Sequence, residues 1–263
     1  SHNGMDVDLK MASRVEGIDV ILGGHTHDAV PAPSIIANKS GKTLVCNSGS
    51  NTKFLSVLDL DVKNGKVADF RYKLLPIFSN LIEPDAKMAS YIEKMRDQTV
   101  TYQGKTFNMK QKLAEKLAVT ESLLYRRGNF NGTFDDLICD AMLSERDAEI
   151  ALSPGFRWGG TLLPGETITW EHVTNATAIT YPNCYRVQMT GQQLKEVLED
   201  VADNIFHVDP YFQGGGDMVR LGGMGYAIDV SKPMGSRISQ MTHLKSGQPI
   251  DAARAYSVAG WAS

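Results

Sequence analysis

A short apolar run that ends in two glycines and two histidines constrains the fold of this chain more than any other feature. The run at residues 18–22 (IDVIL) is rich in β-branched and aliphatic side chains, and GGHTHD follows it at residues 23–28. Such a run predicts a buried strand that opens into a loop, and in α/β sheets ligands bind at that end of a strand. If the chain stays extended through His25 and His27, their spacing puts both imidazoles on one side of the backbone. We therefore predict a metal site at the mouth of this strand.

The alternative interpretation is that His25 and His27 are loop histidines whose ring nitrogens bond to backbone groups. The two glycines favour the metal site, because glycine allows close backbone approach and unusual φ angles at a strand end. His2, which stands in the polar segment SHNG at residues 1–4, adds a third imidazole to the candidate set. Asp28 either orients an imidazole as an outer acceptor or caps the following turn, and the turn is favoured.

The composition excludes two classes of partner. Of 263 residues, 27 are basic and 30 are acidic, which gives a formal net charge of −3. This balance offers no electrostatic footprint for nucleic acid or for an anionic membrane. No stretch approaches the roughly 18 consecutive apolar residues of a membrane span. We expect neither nucleic acid nor membrane as a partner, so anion recognition must come from a few placed arginines.

Hydrophobic periodicity predicts a mixed α/β (α+β) fold. A helix is predicted over residues 6–15, strands over residues 18–22 and 43–46, and a β-hairpin around Asn64-Gly65, where both flanks alternate in hydrophobicity. A further helix is predicted from Glu83 to about Gln98, and its apolar residues are expected to pack. These residues are Met88, Tyr91, Ile92 and Met95. Farther along, helices are predicted to begin at Thr133 and Thr190, and strands at residues 149–152 and 185–189.

A polar stretch at residues 97–112 with little apolar periodicity marks a change in organisation. We therefore predict a first domain at residues 1–82, a linker helix and loop at residues 83–112, and a second domain at residues 113–263. Because the chain opens directly on a motif residue and stops inside a predicted strand, we expect it to be a fragment cut at both ends.

Two glycine-rich loops of the second domain carry an arginine each. Arg157 lies between aromatic residues in GFRWGG at residues 155–160, and Arg220 ends QGGGDMVR at residues 213–220. A plain turn with a snorkelling arginine is the alternative for the first loop. Three successive glycines favour a close approach of backbone to ligand, although flexible surface loops share these letters. Two guanidinium groups would suit a tetrahedral oxyanion.

These segments resemble a known family. SHNG and GHTH resemble the last two metal motifs of the calcineurin-like metallophosphoesterases, in their 5'-nucleotidase branch. The closest resemblance within that branch is to the SoxB thiosulfohydrolases. It rests on RRGNFNG at residues 126–132, LSPGFRWG at 152–159, LEDVADN at 198–204 and QGGGDMVR. It implies the C-terminal part of a metallophosphoesterase β-sandwich with flanking helices, followed by a mixed α/β 5'-nucleotidase-type C-terminal domain truncated at its end.

The resemblance also implies a function. SoxB proteins are periplasmic dimetal hydrolases of sulfur oxidation that release sulfate from a cysteine S-thiosulfonate on the carrier SoxYZ. Two divalent metals are therefore expected, Mn²⁺ first, with Zn²⁺ or Fe as alternatives. By position, His2 and His25 would ligate one metal and His27 the other. The remaining ligands and the catalytic histidine of the family lie upstream, so we expect no catalytic residue in this fragment and no significant hydrolysis by it.

In such a site two cations hold the sulfonate and activate a water for attack on sulfur. The substrate-binding residues expected on this basis lie in the two glycine-rich loops. They are Arg157, Gln213, Gly214, Gly215, Gly216 and Arg220, with Tyr211 and Asp217 as outer contacts or contacts to the carrier arm.

Two other functions remain open at the level of sequence. A 5'-nucleotidase or 2',3'-cyclic-nucleotide phosphodiesterase would share the metal site, but it needs an aromatic platform for a base, which Tyr211-Phe212 or Phe156 and Trp158 would provide. The second is a non-catalytic module that keeps the fold for carrier docking.

Overall fold

The described chain contains both helices and strands, interspersed along its length, so the mixed α/β fold expected from periodicity is confirmed. The structure, a computed structural model, describes residues 1–177 and 183–261. In these residues the helices are α1 (Met5–Arg14), α2 (Ala86–Arg96), α3 (Met109–Leu113), α4 (Thr133–Arg146), α5 (Trp170–Ala176) and α6 (Gly191–Phe206), with a 3₁₀ turn at Pro210–Phe212. The first eight strands are β1 (Val20–Gly23), β2 (Ser34–Asn38), β3 (Gly41–Asn47), β4 (Phe54–Lys63), β5 (Lys66–Pro76), β6 (Thr99–Tyr102), β7 (Lys105–Asn108) and β8 (Lys116–Val119). The others are β9 (Ile150–Ser153), β10 (Thr167–Thr169), β11 (Cys184–Thr190), β12 (Arg220–Gly222), β13 (Met224–Ile228), β14 (Ile238–His243), β15 (Gln248–Pro249) and β16 (Ala255–Trp261).

The chain divides into two units. The first comprises Ser1–Asp85 together with Phe206–Gly215, and the second comprises Ala86–Ile205 together with the chain from Gly216 onward. The sequence-based division near residue 83 did not include Phe206–Gly215 in the first unit. We call this ten-residue piece the anchor segment, because it makes contacts with α1 and with the histidine loop that are described below.

The first unit is built on a three-stranded sheet in the order β1-β3-β2. Strand β1 runs parallel to β3, with Val20 opposite Leu44, and β2 runs antiparallel to β3. Helix α1 covers this sheet, and its Ala12 is fully buried together with Ile21 and Val45. The predicted helix and both predicted strands are confirmed. Because β1 ends at Gly23, this packing fixes where the histidine loop begins.

The predicted hairpin is also confirmed. Strands β4 and β5 pair antiparallel over their whole length, and Asn64 and Gly65 form the turn with φ angles of 52° and 72°. Positive φ at both central turn residues is the type I′ geometry that matches the strand twist.

The core of the second unit is a four-stranded sheet in the order β11-β16-β9-β12. Strand β16 pairs antiparallel with β11 and parallel with β9, so both of its edges are bonded. Helix α4 packs on this sheet through Cys139 and Met142, which are buried with Ala151, Ala259 and Trp261. Smaller pieces of sheet, β8 with β10, β6 with β7, and β13-β14-β15, complete the unit. Strand β9 and the start of β12 place the two arginine loops, because both loops adjoin these strands.

The expectation that α2 packs through its apolar residues is wrong. Helix α2 forms as predicted, but none of its residues is buried. Met88, Tyr91, Ile92 and Met95 are all exposed. Periodicity established the helix because the apolar spacing matches 3.6 residues per turn, but it did not establish whether another element covers that face. Within the described ranges, no helix combines the length and apolar character needed to cross a bilayer.

Candidate functional site

The imidazoles of His2 and His25 converge at the end of β1. His25 Nδ1 lies 3.2 Å from His2 Nε2, and the two rings meet edge to face with centroids 4.9 Å apart. Two imidazole nitrogens bound at about 2.0–2.1 Å to one metal lie roughly 2.9–3.4 Å apart, depending on the coordination angle. The pair therefore fits ligation of one divalent metal, and it equally fits a direct hydrogen bond between the two rings.

The histidine loop is tightly turned rather than extended. His25 and His27 have φ angles of 70° and 60°, in the left-handed region, and Thr26 N donates to Gly24 O over 2.9 Å. This bond closes a γ-turn around His25, a strained conformation that non-glycine residues rarely adopt. The condition of extended backbone, on which the sequence placed His25 and His27 side by side, is thus not met. His25 turns toward His2 instead.

The anchor segment contacts the other side of the His25 ring. His25 Nε2 lies 3.0 Å from Gly214 O. A carbonyl oxygen only accepts, so Nε2 carries a proton in this bond. In the tautomer with this single ring proton, Nδ1 presents its lone pair toward His2. Histidine ligands of metals characteristically donate their second ring nitrogen to such an acceptor.

The anchor segment requires glycine at position 215. The φ of Gly215 is +76°, and a Cβ built on it would lie 2.6 Å from His25 Nε2. The close backbone approach that the three glycines predicted is therefore real at this position, but its partner in the structure is the His25 ring. Gly216 differs, because a Cβ there would meet open space. The predicted contacts of Gly214, Gly215 and Gly216 with a substrate stay predictions.

His27 is not brought into a cluster with the other two histidines. Over residues 1–177 and 183–261, no group of three or more His, Cys, Asp or Glu side chains is arranged to hold a metal. The described chain therefore fits the predicted ligand set in part. It assembles the His2–His25 pair, while the assignment of His27 to a second metal stays a prediction.

Polar side chains beneath the loop hold it against α1. Thr26 Oγ1 accepts from Met5 N over 3.2 Å and donates to the carboxylate of Asp28. This bond lies within the histidine loop, and the two roles considered for Asp28, an outer acceptor for an imidazole and a cap of the following turn, stay predictions. Asp8 of α1 is fully buried and accepts from Ser1 Oγ over 2.7 Å. It also lies against Gly23, where an added Cβ would be 2.8 Å from Asp8 Oδ2. Asp8 was not among the predicted site residues, although its spacing from Ala12 on the same helix face was a signal for burial.

The anchor segment is fastened to α1 by Lys10. Lys10 Nζ forms an ion pair with Asp209 and lies 4.2 Å from the centroid of the Tyr211 ring. Asp209 Oδ1 also accepts from Tyr211 N over 2.9 Å, which caps the 3₁₀ turn. Gln213 Nε2 donates to His207 O over 2.7 Å. Of the predicted site residues, Tyr211 and Gln213 therefore lie on this segment, while Lys10 carried no sequence signal beyond its place on α1.

In the second unit, a buried ion cluster stands where the RRGNFNG and QGGGDMVR segments meet. Arg126 Nε donates to Asp135 Oδ1 over 2.7 Å, and Arg220 Nε lies 3.3 Å from Asp135 Oδ2. All three side chains are buried. Burial raises the pKa of Asp135, while the neighbouring Arg126 guanidinium opposes that rise. The cluster is an interior scaffold that joins α4 to β12.

The structure does not support direct substrate contact for Arg220. Its side chain is 0% exposed, and its Nη2 donates to Gly128 O over 2.6 Å and to Asp217 Oδ2 over 3.1 Å. The sequence could not reveal this, because an arginine at a strand start gives the same pattern whether it faces solvent or two buried carboxylates. Burial raises the pKa of Asp217, and the guanidinium groups of Arg157 and Arg220 oppose that rise.

Of the two loop arginines, Arg157 is partly exposed, whereas Arg220 is not. Its Nε lies 3.7 Å from Asp217 Oδ2, and 15% of the side chain is exposed. The flanking Phe156 and Trp158 stack on each other with centroids 3.9 Å apart and an interplanar angle of 17°. A Cβ on Gly155 would lie 2.6 Å from Met218 O, so this loop also depends on glycine for close packing.

Comparison with known proteins identifies relatives of this chain. The model of the 5'-nucleotidase C-terminal domain family matches residues 116–262. The trifunctional nucleotide phosphoesterase protein YfkN of Bacillus subtilis is 28% identical over 92% of this chain and 16% of its own length. The 5'-nucleotidase of Bos taurus is 25% identical over 98% of this chain and 48% of its own length. The chain thus spans about half or less of the length of these relatives.

Solved structures agree with this grouping. The sulfate thiohydrolase SoxB of Thermus thermophilus, in complex with glycerol, superposes with a TM-score of 0.90 and 35% identity, over 99% of this chain and 45% of that chain. A 5'-nucleotidase precursor from Thermus thermophilus superposes with a TM-score of 0.76 and 20% identity, over 97% of this chain and 51% of that chain, and shows the shared fold. Since the family model covers more than half of the sequence, the chain belongs to the 5'-nucleotidase family of hydrolases and is SoxB-like within it.

Proposed function

We propose that the whole protein is a dimetal hydrolase of sulfur oxidation that releases sulfate from a cysteine S-thiosulfonate on the periplasmic carrier SoxYZ. The observation that carries the proposal is the bond between Gly214 O and His25 Nε2. It joins the QGGGDMVR segment, the phrase most specific to the SoxB resemblance, to the histidine pair shared by the wider superfamily. The likeness to SoxB at 35% identity over nearly the whole chain supports the same choice.

In this proposal the histidines hold the metals. His2 and His25, whose nitrogens lie 3.2 Å apart, would hold one metal, and His27 would contribute to the second. Imidazole suits Mn²⁺, which we expect, and also Zn²⁺ or Fe. When bound, two such metals supply Lewis acidity toward the sulfonate and the attacking water.

The residues of this chain prepare the site. The Gly214 carbonyl orients the His25 ring and selects its tautomer. Arg157, backed by Asp217, is the candidate for holding the sulfonate, because a guanidinium matches the oxygens of such a group. In the reaction water forms an S–O bond to the sulfonate sulfur, and the S–S bond breaks. Its electron pair stays on the carrier sulfur, and the protons of water pass to solvent.

Nucleotide hydrolysis is the second candidate, since the curated relatives include 5'-nucleotidases. It requires open aromatic faces for a base. The stacked pair of Phe156 and Trp158 already covers one face of each ring, and Lys10 lies over the ring of Tyr211. Phe212 is exposed and keeps an aromatic face open, so our choice of the thiosulfonate rests on the likeness to SoxB.

The test is a comparison of substrates with the full-length protein. We expect sulfate release from SoxYZ that carries the thiosulfonate, little phosphate release from AMP, and two bound transition metals per molecule. His25→Ala should lower sulfate release more than about 100-fold, above the range for outer-shell residues. His172→Ala, a histidine in the cap of α5, is the matched control and should retain activity. Hydrolysis of AMP without sulfate release would overturn the proposal, and carrier binding without bound metals would favour a docking module.

A further inference from the structure

We propose that Lys10 is a positioning residue for the histidine pair: it fastens the anchor segment to α1, so that the segment presents the Gly214 carbonyl to His25. The inference rests on the proposed metal site. It assigns a role to Lys10 and Asp209, which lie outside the family motifs.

The fastening at Lys10 is more than an exposed ion pair. The Lys10 side chain is only 16% exposed, and it contacts two groups of the anchor segment, the Asp209 carboxylate and the Tyr211 ring. A partly desolvated cation held both by a carboxylate and by an aromatic face is stabilised more than a solvated pair. The hydrogen bond from Lys10, followed by the backbone bond from Tyr211, lowers the pKa of Asp209.

The anchor segment is stiff between its two attachments. Asp209 caps the 3₁₀ turn, Pro210 fixes its own φ, and Gln213 N donates to Pro210 O over 3.1 Å. The bond from Gln213 Nε2 to His207 O closes the segment on itself. A shift at Asp209 is therefore passed on to Gly214 rather than absorbed between them.

At the far end the segment meets His25 through two glycines. Gly214 O accepts from His25 Nε2, and Gly215 lies against the same ring edge. Loss of the carbonyl removes the bond that favours the tautomer with a bare Nδ1, the nitrogen that faces His2. Lys10 thus acts on His25 through the segment, without touching it.

The experiment measures the tautomer directly in the full-length protein, labelled with ¹⁵N-histidine and freed of metal. His25 resonances, assigned by their loss in His25→Asn, should show a protonated Nε2 and a bare Nδ1. Lys10→Met keeps the aliphatic stem but removes the charge, and it should give a mixture of tautomers and a roughly tenfold weaker affinity for Mn²⁺ by calorimetric titration, at the lower end of outer-shell effects. Lys10→Arg should restore both.

The matched control is Lys63→Met, which breaks an exposed ion pair with Asp61 on the β4–β5 hairpin and should change neither readout. Asp209→Asn keeps an acceptor for the cap and should reproduce the Lys10→Met effect, so it tests the idea even if Lys10→Met fails to fold. Unchanged His25 tautomer and Mn²⁺ affinity in Asp209→Asn would overturn the inference. If both readouts shift but the protein releases no sulfate, Lys10 keeps its role and the proposed function fails.

Discussion

At the scale of single residues, His25 combines a rare backbone conformation with two contacts of its ring. His25 adopts a positive φ, and its ring is held between His2 and Gly214. Residues in sparsely populated backbone conformations persist where the surroundings enforce them, and such strain clusters at functional sites. The strain at His25 is therefore an independent reason to place function at this loop.

Gly215→Ala should disturb this arrangement. The new Cβ would lie 2.6 Å from His25 Nε2, so the ring must move away from Gly214 O. We expect Mn²⁺ affinity of the full-length protein to fall about 10–100-fold, as for other lost outer-shell contacts. Gly216→Ala is the control, because its φ of +101° also opposes a side chain but its Cβ meets open space. Equal losses of Mn²⁺ affinity in the two variants would show that backbone strain, and not the contact with His25, lowers the affinity.

Asp135→Asn tests the buried ion cluster. The substitution leaves Arg126 and Arg220 buried without their shared carboxylate, and breaking such a pair costs about 3–5 kcal/mol. Denaturant unfolding should show a loss of this order. Asp140→Asn, on the exposed side of the same helix, should change the free energy of unfolding by less than about 0.5 kcal/mol. A small effect at Asp135 would mean that the arginines find other partners.

At the scale of elements, similar sequence patterns have different fates. Helix α6 buries Leu194, Leu198 and Ala202, whereas α2, whose apolar residues also repeat at helical spacing, buries none of its residues. Helix α6 is the more strongly amphipathic of the two, so its own sequence accounts for part of the difference, and the surroundings of each helix account for the rest. Strand β16 lies inside its four-stranded sheet, between β11 and β9, and both of these neighbours come from distant parts of the chain.

The junction of β9 and β16 should respond to pH through Glu149. Its carboxylate accepts from Ser257 N over 2.9 Å and pairs with Arg254. The Ser257 backbone bond, followed by Arg254, lowers the pKa of Glu149. A carboxylate with a lowered folded-state pKa stabilises the fold above its unfolded pKa of about 4.3, and this stabilisation is lost as pH falls through the folded value.

Glu149→Gln should therefore lower the free energy of unfolding by about 1 kcal/mol at pH 7, since the side chain is partly exposed. The difference from the natural chain should shrink as pH falls below about 4.3. Urea titrations at several pH values measure this, with Glu145→Gln on the exposed end of α4 as control. A difference that grows on acidification would contradict the assignment.

At the scale of the whole molecule, the two units differ in how completely they enclose a core. Among residues 86–177, 183–205 and 216–261, the second unit contains its four-stranded sheet and apolar clusters around Phe134 and around Trp261. The first unit has one small cluster around Ala12 and leaves Leu22 and Ile35 exposed.

A chain of residues 86–263 should therefore fold alone, with one cooperative thermal transition by circular dichroism. Residues 1–85 alone should not, because three strands and a hairpin with exposed apolar faces rarely provide enough buried surface. Cooperative unfolding of residues 1–85 by themselves would show that the first unit has a sufficient core.

The sequence by itself determined the local structure and the chemical types at the site. Helix α1, strands β1 and β3, and the Asn64-Gly65 turn follow from interactions between near neighbours, which periodicity and turn chemistry record. The same reasoning located the histidine loop and the glycine-rich segment. Those features, with the family motifs, were sufficient to recognise a SoxB-like hydrolase.

Only the tertiary structure decided which residues meet. His25 contacts His2 across 23 positions and Gly214 across 189 positions of the chain, and no local pattern encodes either pairing. The same holds for Arg220, which the sequence placed at a substrate and the structure places among buried carboxylates. The reason is physical: periodicity reports which face of an element is apolar, whereas the partner of a polar side chain depends on long-range packing that brings distant elements together.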